Sequence, residues 1–254
     1  MPAPDDDAAR SRGRSFGAVA AGYAALRPGY PADAVTHLVG RGGAPRRVLD
    51  VGAGTGLLTR AVRDAGHDVL AVDPAPEMLA HLVSGLPGVP AAAGTAEALP
   101  LCDATVDAVV AGQAAHWFDV APAAAGIRRV LRPGGVLGLV WNTRDEDVPW
   151  VAALGEALAG EARGHEADQA VVDGFAAALE ADVAVAGSGI VQRLTPEEVV
   201  GGIATRSYVA VMGGSERAAF LDRVRDVLAT HPGTRGRAVL DLPYRTTAYR
   251  LTPR

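Results

Sequence analysis

Val48-Leu49-Asp50-Val51-Gly52-Ala53-Gly54-Thr55-Gly56 is the stretch that decides the fold. Val48–Val51 is apolar apart from Asp50, as in a strand covered on both faces. It runs straight into three alternating glycines. Leu57 to Asp64 then reads as a helix, stopped at Gly66. A strand, a glycine turn and a helix make up the first half of a βαβ unit. Open α/β sheets bind ligands at such turns, beyond the carboxyl ends of their strands. Glycine allows positive φ and lets a ligand come close to the backbone.

Outward from this turn the pattern repeats. Val69–Val72 is a second apolar strand ending at Asp73, and Pro76 to Leu82 a helix with proline in its first turn. Val89–Ala93, Val106–Ala111 and Val136–Val140 read as further strands. A helix over Ala121–Leu131 precedes the last of them and stops at Arg132-Pro133-Gly134-Gly135. Apolar strands alternating with helices predict a parallel sheet with helices on both faces. Upstream, residues 1–14 read as a disordered tail, Phe16–Leu26 as a helix and Ala32–Val39 as another, ended by Gly40. Downstream, helices are expected over Trp150–Ala162, Ala170–Leu179, Pro196–Ile203 and Glu216–Leu228. Thr195 would cap the third, with Glu198 completing a capping box. Asp241–Leu251 alternates as a final strand pair or an edge strand.

The residues around the glycine turn narrow its ligand. Asp73 ends the second strand, where a carboxylate can accept hydrogen bonds from ribose hydroxyls. Nicotinamide cofactors use a similar layout, but their G-x-G-x-x-G fingerprint would need glycine where Leu57 stands. Asp50, just ahead of the turn, suits an ammonium group better than a pyrophosphate. S-adenosylmethionine has an amino group, a ribose and an adenine, and no phosphate.

Val48–Gly56 resembles the first motif of the class I S-adenosylmethionine-dependent methyltransferases, and further blocks follow in order. These are Ala71-Val72-Asp73-Pro74-Ala75-Pro76-Glu77-Met78-Leu79, Gly94-Thr95-Ala96-Glu97-Ala98-Leu99-Pro100 and Arg129-Val130-Leu131-Arg132-Pro133-Gly134-Gly135. The resemblance implies a doubly wound, Rossmann-like α/β sheet of seven mostly parallel strands with helices on both faces. Residues 15–254 would form one methyltransferase domain. Its cofactor core would be 46–142, with 15–45 and 143–240 supplying a cap and the acceptor pocket. It also implies roles. Asp50, Gly52, Ala53, Gly54 and Gly56 would cradle the methionyl part, Asp73 the ribose, Pro74 and Met78 the adenine, and Thr95, Ala96 and Glu97 the adenine edge. Many relatives carry Asp at the position of Thr95, which leaves backbone contacts from Ala96 to serve there. Tyr23 to Pro31 together with Gln113-Ala114-Ala115-His116-Trp117-Phe118 is similar to a methyltransferase type 11 group that includes trans-aconitate methyltransferase-like proteins. By that likeness Tyr23 and Arg27 would close over the methionyl carboxylate, and Gln113 would join the cofactor site.

Methyl transfer is an in-line displacement at an activated carbon, so the protein mainly positions the acceptor and excludes water. His116, after the fourth strand, is the candidate base or orienter. Tyr30, Trp117, Trp141 and Arg144 are candidate acceptor contacts. A small-molecule acceptor, methylated on a carboxylate or hydroxyl oxygen, is the leading expectation. A protein that holds the cofactor while catalysing a cyclisation or rearrangement is the alternative, and a nicotinamide oxidoreductase a weaker one.

Composition trims the remaining classes. The 254 residues carry 24 arginines and no lysine, which excludes a lysine Schiff base. The net charge of −5, with both signs interspersed, argues against a nucleic-acid partner. Cys102 is the single cysteine, so neither an internal disulfide nor a cysteine zinc cluster can form. The acidic start and the lack of a long apolar run lead to the expectation of a cytoplasmic protein, without a membrane partner or a metal, as monomer or homodimer.

Overall fold

A computed structural model describes residues 26–40, 44–158 and 165–254. The tail 1–14, Tyr23 and most of the helix expected over Phe16–Leu26 lie outside these residues. Internal contacts divide the chain into two compact units. One comprises Gly29–Asn142, Gly164–Gly189 and Thr246–Arg254; the other holds 143–163 and Ile190–Arg245 together with the chain up to Pro28.

In the first unit the elements run α1 (Ala32–Val39), β1 (Arg47–Val51), α2 (Leu57–Asp64), β2 (Asp68–Asp73), α3 (Pro76–Gly85), β3 (Ala91–Ala93) and β4 (Val106–Gly112). After a short 3-10 turn over Ala115–Trp117 come α4 (Val120–Val130), β5 (Leu131–Arg144) and, later in the chain, α6 (His165–Leu179). β1 pairs in parallel with β2 and β4, β2 with β3, and β4 with β5. Side-chain alternation explains the double winding. Val48, Ala108, Val110, Val136 and Val140 pack with Leu38, Leu58 and Leu82 of α1, α2 and α3. Leu49, Val109, Leu137 and Leu139 point the other way and pack with Ile127 of α4 and Phe175 of α6. Both faces are therefore covered, and each fully buried aliphatic side chain contributes about 1.5–3 kcal/mol.

The second unit contains α5 (Pro149–Ala157), α7 (Pro196–Ala204), α8 (Ser207–Ala210) and α9 (Gly214–Thr230). They close on a core that includes Leu154, Ile203, Val224, Leu228 and Leu242. The capping box on α7 is present. The Thr195 hydroxyl accepts the Glu198 N–H, and the Glu198 carboxylate accepts the Thr195 N–H.

Seven strands form one mixed sheet in the order β3-β2-β1-β4-β5-β7-β6, with β6 spanning Ala181–Leu194 and β7 Leu240–Pro253. The ion pairs Arg193–Asp241 and Arg254–Asp182 join opposite ends of β6 and β7, so these two strands run antiparallel. Three expectations change. β6 has no counterpart in the sequence reading. β7 lies between β5 and β6, and the edge position belongs to β6. The Arg132–Gly135 turn lies inside β5, where the register with β4 slips between Leu131 and Val136, which makes it a bulge rather than a boundary.

Candidate functional site

The carboxyl ends of β1, β2 and β4 lie side by side because those strands are parallel neighbours. The Gly52–Gly56 turn follows β1. It is tied to β2 by the N–H groups of Gly52 and Ala53, which both donate to the Val72 carbonyl at 2.8 and 3.1 Å. Gly52 has φ +68°, and a Cβ there would stand 2.6 Å from the Ala114 Cβ, so only glycine lets β1 leave the sheet under the turn that follows β4. Gly54 has φ +55°, and a Cβ added there would project into open space.

Two carboxylates flank this turn in different states. Asp73, at the end of β2, accepts the Gly54 N–H on Oδ2 and the Ala75 N–H on Oδ1, each at 2.8 Å. Each oxygen retains a second lone pair for a hydroxyl donor. Burial raises the Asp73 pKa, and the two N–H donors oppose that shift. Asp50 is 0% exposed. Its Oδ2 accepts the Thr59 hydroxyl at 2.6 Å, while Oδ1 has no hydrogen-bond partner among the described residues. Burial pushes its carboxyl up to about 7; Asp73 adds to the rise and Thr59 opposes it. A fully buried carboxylate with an empty oxygen is costly unless a donor or a cation meets it.

The remaining candidates have varied surroundings. Met78 is buried and Pro74 exposed. Thr95 is exposed and Ala96 buried, and the Glu97 carboxylate accepts the Asp119 N–H at 2.9 Å, tying the segment after β3 to the start of α4. Gln113 holds φ +55°, a costly conformation for a residue with a side chain, and its amide donates to the Asn142 carbonyl at 2.7 Å. Tyr30 lies against the end of β4; its hydroxyl would be 2.5 Å from a Cβ at Gly112. His116 is half-buried in the 3-10 turn, its ring 4.9 Å from that of Trp117, which is 41% exposed. Trp141 is a core residue, 3% exposed and edge-on to Tyr249. Arg27 and Arg144 belong to the second unit and line one cavity there.

Sequence reasoning missed Asn142 as a structural knot: its amide donates to the Gly29 carbonyl at 2.9 Å and accepts the Thr246 hydroxyl at 2.6 Å. An uncharged asparagine near the end of a strand carries no local signal of such a role. It also left Arg206 and Tyr208 unassigned. Among the described residues there is no acidic, histidine or cysteine cluster able to hold a metal ion, and no helix long and apolar enough to cross a membrane.

Known proteins place this geometry. A family described as "Methyltransferase domain" matches residues 49–139. An uncharacterized methyltransferase of Mycobacterium tuberculosis is 44% identical over 243 residues, covering 96% of this chain and 97% of that protein. The chain belongs to the S-adenosylmethionine-dependent methyltransferases. A malonyl-acyl-carrier-protein O-methyltransferase of Methylococcus capsulatus is 40% identical over 147 residues, 54% of this methyltransferase and 53% of the relative. Among solved structures, a candidate type II methyltransferase from Anaeromyxobacter dehalogenans is similar with a TM-score of 0.67 at 25% identity, over 89% of this chain and 97% of that one.

The residues of this methyltransferase fit its cofactor. The empty Asp50 oxygen can accept from an ammonium group. The free lone pairs of Asp73 can accept from ribose hydroxyls. The open space over Gly54 leaves the turn accessible.

Proposed function

We propose that this methyltransferase holds S-adenosylmethionine over Gly52–Gly56 and transfers its methyl group to an oxygen of a small-molecule acceptor. Asp50 would hold the ammonium group, Asp73 the ribose hydroxyls, Pro74 and Met78 the adenine, and Ala96 the adenine edge through its backbone. The observation that carries this reading is Asp50: a wholly buried carboxyl with one oxygen lacking a donor among the described residues. A cationic ligand group repairs that deficit, and a pyrophosphate would worsen it.

The bound cofactor supplies a methyl group already activated on a sulfonium. The chain's own task is orientation, and its residues divide accordingly. With a hydroxyl acceptor, His116 takes the proton at an imidazole nitrogen as the carbon–oxygen bond forms. A carboxylate acceptor needs no base, and His116 then orients it. The relative from Methylococcus capsulatus, an O-methyltransferase by name, favours oxygen.

The test incubates the full chain with S-adenosylmethionine and a panel of small carboxylic acids and alcohols, read by mass spectrometry. A mass gain of one methyl group, with one S-adenosylhomocysteine released per product, is expected. Saturable cofactor binding accompanied by a rearranged acceptor of unchanged mass would instead establish the cyclisation reading.

A further inference from the structure

The turn that follows β4 begins with a strained residue. Gln113 has φ +55°, where a side chain strains the backbone and glycine would not. The parallel ladder explains why glutamine stands there. Gly112 lies opposite Val140, and the Gln113 N–H donates to the Val140 carbonyl at 2.9 Å. Continuing in the sheet, β4 would offer its next sheet-facing N–H to the Asn142 carbonyl. The chain turns away first, and the Gln113 side-chain amide fills that rung, donating to the Asn142 carbonyl at 2.7 Å. Glycine would relieve the strain but leave that carbonyl without this donor. The seat of the bond is itself fixed. Asn142 is 8% exposed; its amide donates to the Gly29 carbonyl at 2.9 Å and accepts the Thr246 hydroxyl at 2.6 Å. Tyr30, next to Gly29, lies against Gly112 and closes the circuit. All of these residues belong to the first unit.

The far end of the turn is anchored too. Ala114 and Phe118 both pack on Gly52, 2.6 and 3.6 Å from where its Cβ would stand, and the Glu97 carboxylate holds the Asp119 N–H. His116 and Trp117 lie between these anchors. Backbone strain that persists because its surroundings over-determine it gathers at functional sites. We infer that Gln113 is a positioning residue: its amide, seated on Asn142, clamps Ala114–Phe118 against the glycine turn and so sets where His116 and Trp117 stand relative to the methyl donor. Asp50 and Asp73 keep hydrogen bonds of their own, so the clamp governs the rate of transfer and not donor affinity. The effect on rate rests on the methyl-transfer reading above, whereas the clamp stands on the hydrogen bonds alone.

The experiment labels the full chain with 5-fluorotryptophan and records fluorine NMR spectra with and without S-adenosylhomocysteine. The chain has three tryptophans, and the Trp117 signal is the one missing from Trp117→Phe. In the wild type that signal should be single and narrow. Gln113→Met, of similar length without the donor, and Gln113→Gly, which also removes the strain, should each broaden or split it and leave the Trp150 signal unchanged. Gln113→Gly should melt within about 4 °C of wild type, because strain relief offsets the lost hydrogen bond, which separates loss of position from loss of fold. Thr246→Val should broaden the signal less, and Thr246→Ser, which keeps the hydroxyl, not at all. S-adenosylhomocysteine release with the panel of acids and alcohols should fall at least about tenfold in both Gln113 variants, with KM for S-adenosylmethionine unchanged. A Trp117 signal already broad in the wild type, or unaltered in both Gln113 variants, overturns the clamp. A broadened signal with an unchanged rate overturns the positioning role. Weakened S-adenosylhomocysteine affinity in Gln113→Met, with the Trp117 signal unaltered, assigns Gln113 to the cofactor and overturns the inference. A wild type that binds no S-adenosylhomocysteine refutes the methyl-transfer reading, and the spectra of the unliganded protein still decide the clamp.

Discussion

If the buried Asp50 carboxyl meets the cofactor's ammonium group, cofactor affinity must depend on pH. Its pKa of about 7 in the free protein means that half the molecules carry a proton there at neutrality. Only the ionised form pairs with a cation. The apparent dissociation constant therefore scales as one plus the protonated-to-ionised ratio. Between pH 8 and pH 6 that factor rises about tenfold, or about 1.4 kcal/mol. The same shift has a cost in the unliganded fold. The folded chain holds this proton more tightly than the unfolded one, whose carboxyl titrates near 3.8. Stability from Asp50 is thus fully present below that value and is lost as pH rises through 7, by on the order of 4 kcal/mol in all. Asp50→Asn should therefore melt higher than wild type at pH 8 while binding S-adenosylhomocysteine at least about tenfold more weakly, with no pH dependence. Thr59→Val removes a donor that holds the Asp50 pKa down and should move the binding midpoint to higher pH. Isothermal titration at several pH values reads the effect, with 5′-methylthioadenosine, which lacks the α-ammonium group of the methionyl part, as the flat control. Equal pH slopes for the two ligands, or no slope for either, would refute the reasoning.

Other perturbations separate folding from binding. Gly52→Ala forces a Cβ to 2.6 Å from the Ala114 Cβ at positive φ and should lower stability by about 1–3 kcal/mol in thermal unfolding. Gly54→Ala meets no protein atom; its product should fold at a cost of about 1 kcal/mol in backbone strain yet lose measurable S-adenosylhomocysteine binding, because the methyl group fills the space over the turn. Thr195→Ala dismantles the capping box on α7 and should cost about 1 kcal/mol without changing cofactor affinity. His116→Asn should slow transfer to a hydroxyl acceptor by about 100-fold, and to a carboxylate acceptor by less than about tenfold, with cofactor affinity unchanged in both cases.

The first βα units were legible because local and tertiary preferences agree there. Apolar runs such as Val48–Val51 and Val69–Val72 are buried on both faces, so no polar alternation blurs them, and α1 and α2 occupy the expected Ala32–Val39 and Leu57–Asp64. β6 was not legible. Ala181–Leu194 is built largely from Ala, Gly, Ser and Val, and as an edge strand it buries few of its side chains, so composition and periodicity are both weak. β5 was read short because a Pro-Gly-Gly turn normally ends an element, whereas here it forms a bulge. The proposed donor site was legible in sequence because its residues follow neighbouring parallel strands. The meeting of Arg144 and Arg206 at one cavity was not, since β5 and the residue before α8 are some sixty residues apart and only tertiary packing unites them.

The most direct measurement is the affinity of the full chain for S-adenosylhomocysteine at pH 8, wild type beside Asp73→Ala. Saturable one-to-one binding is predicted, weakened in the variant by about 1.5–3 kcal/mol through loss of the charged hydrogen bonds proposed to the ribose hydroxyls. Absence of binding by the wild type, or equal affinity in the two proteins, would contradict the assignment of the Asp50–Gly56 turn and Asp73 to the methyl donor.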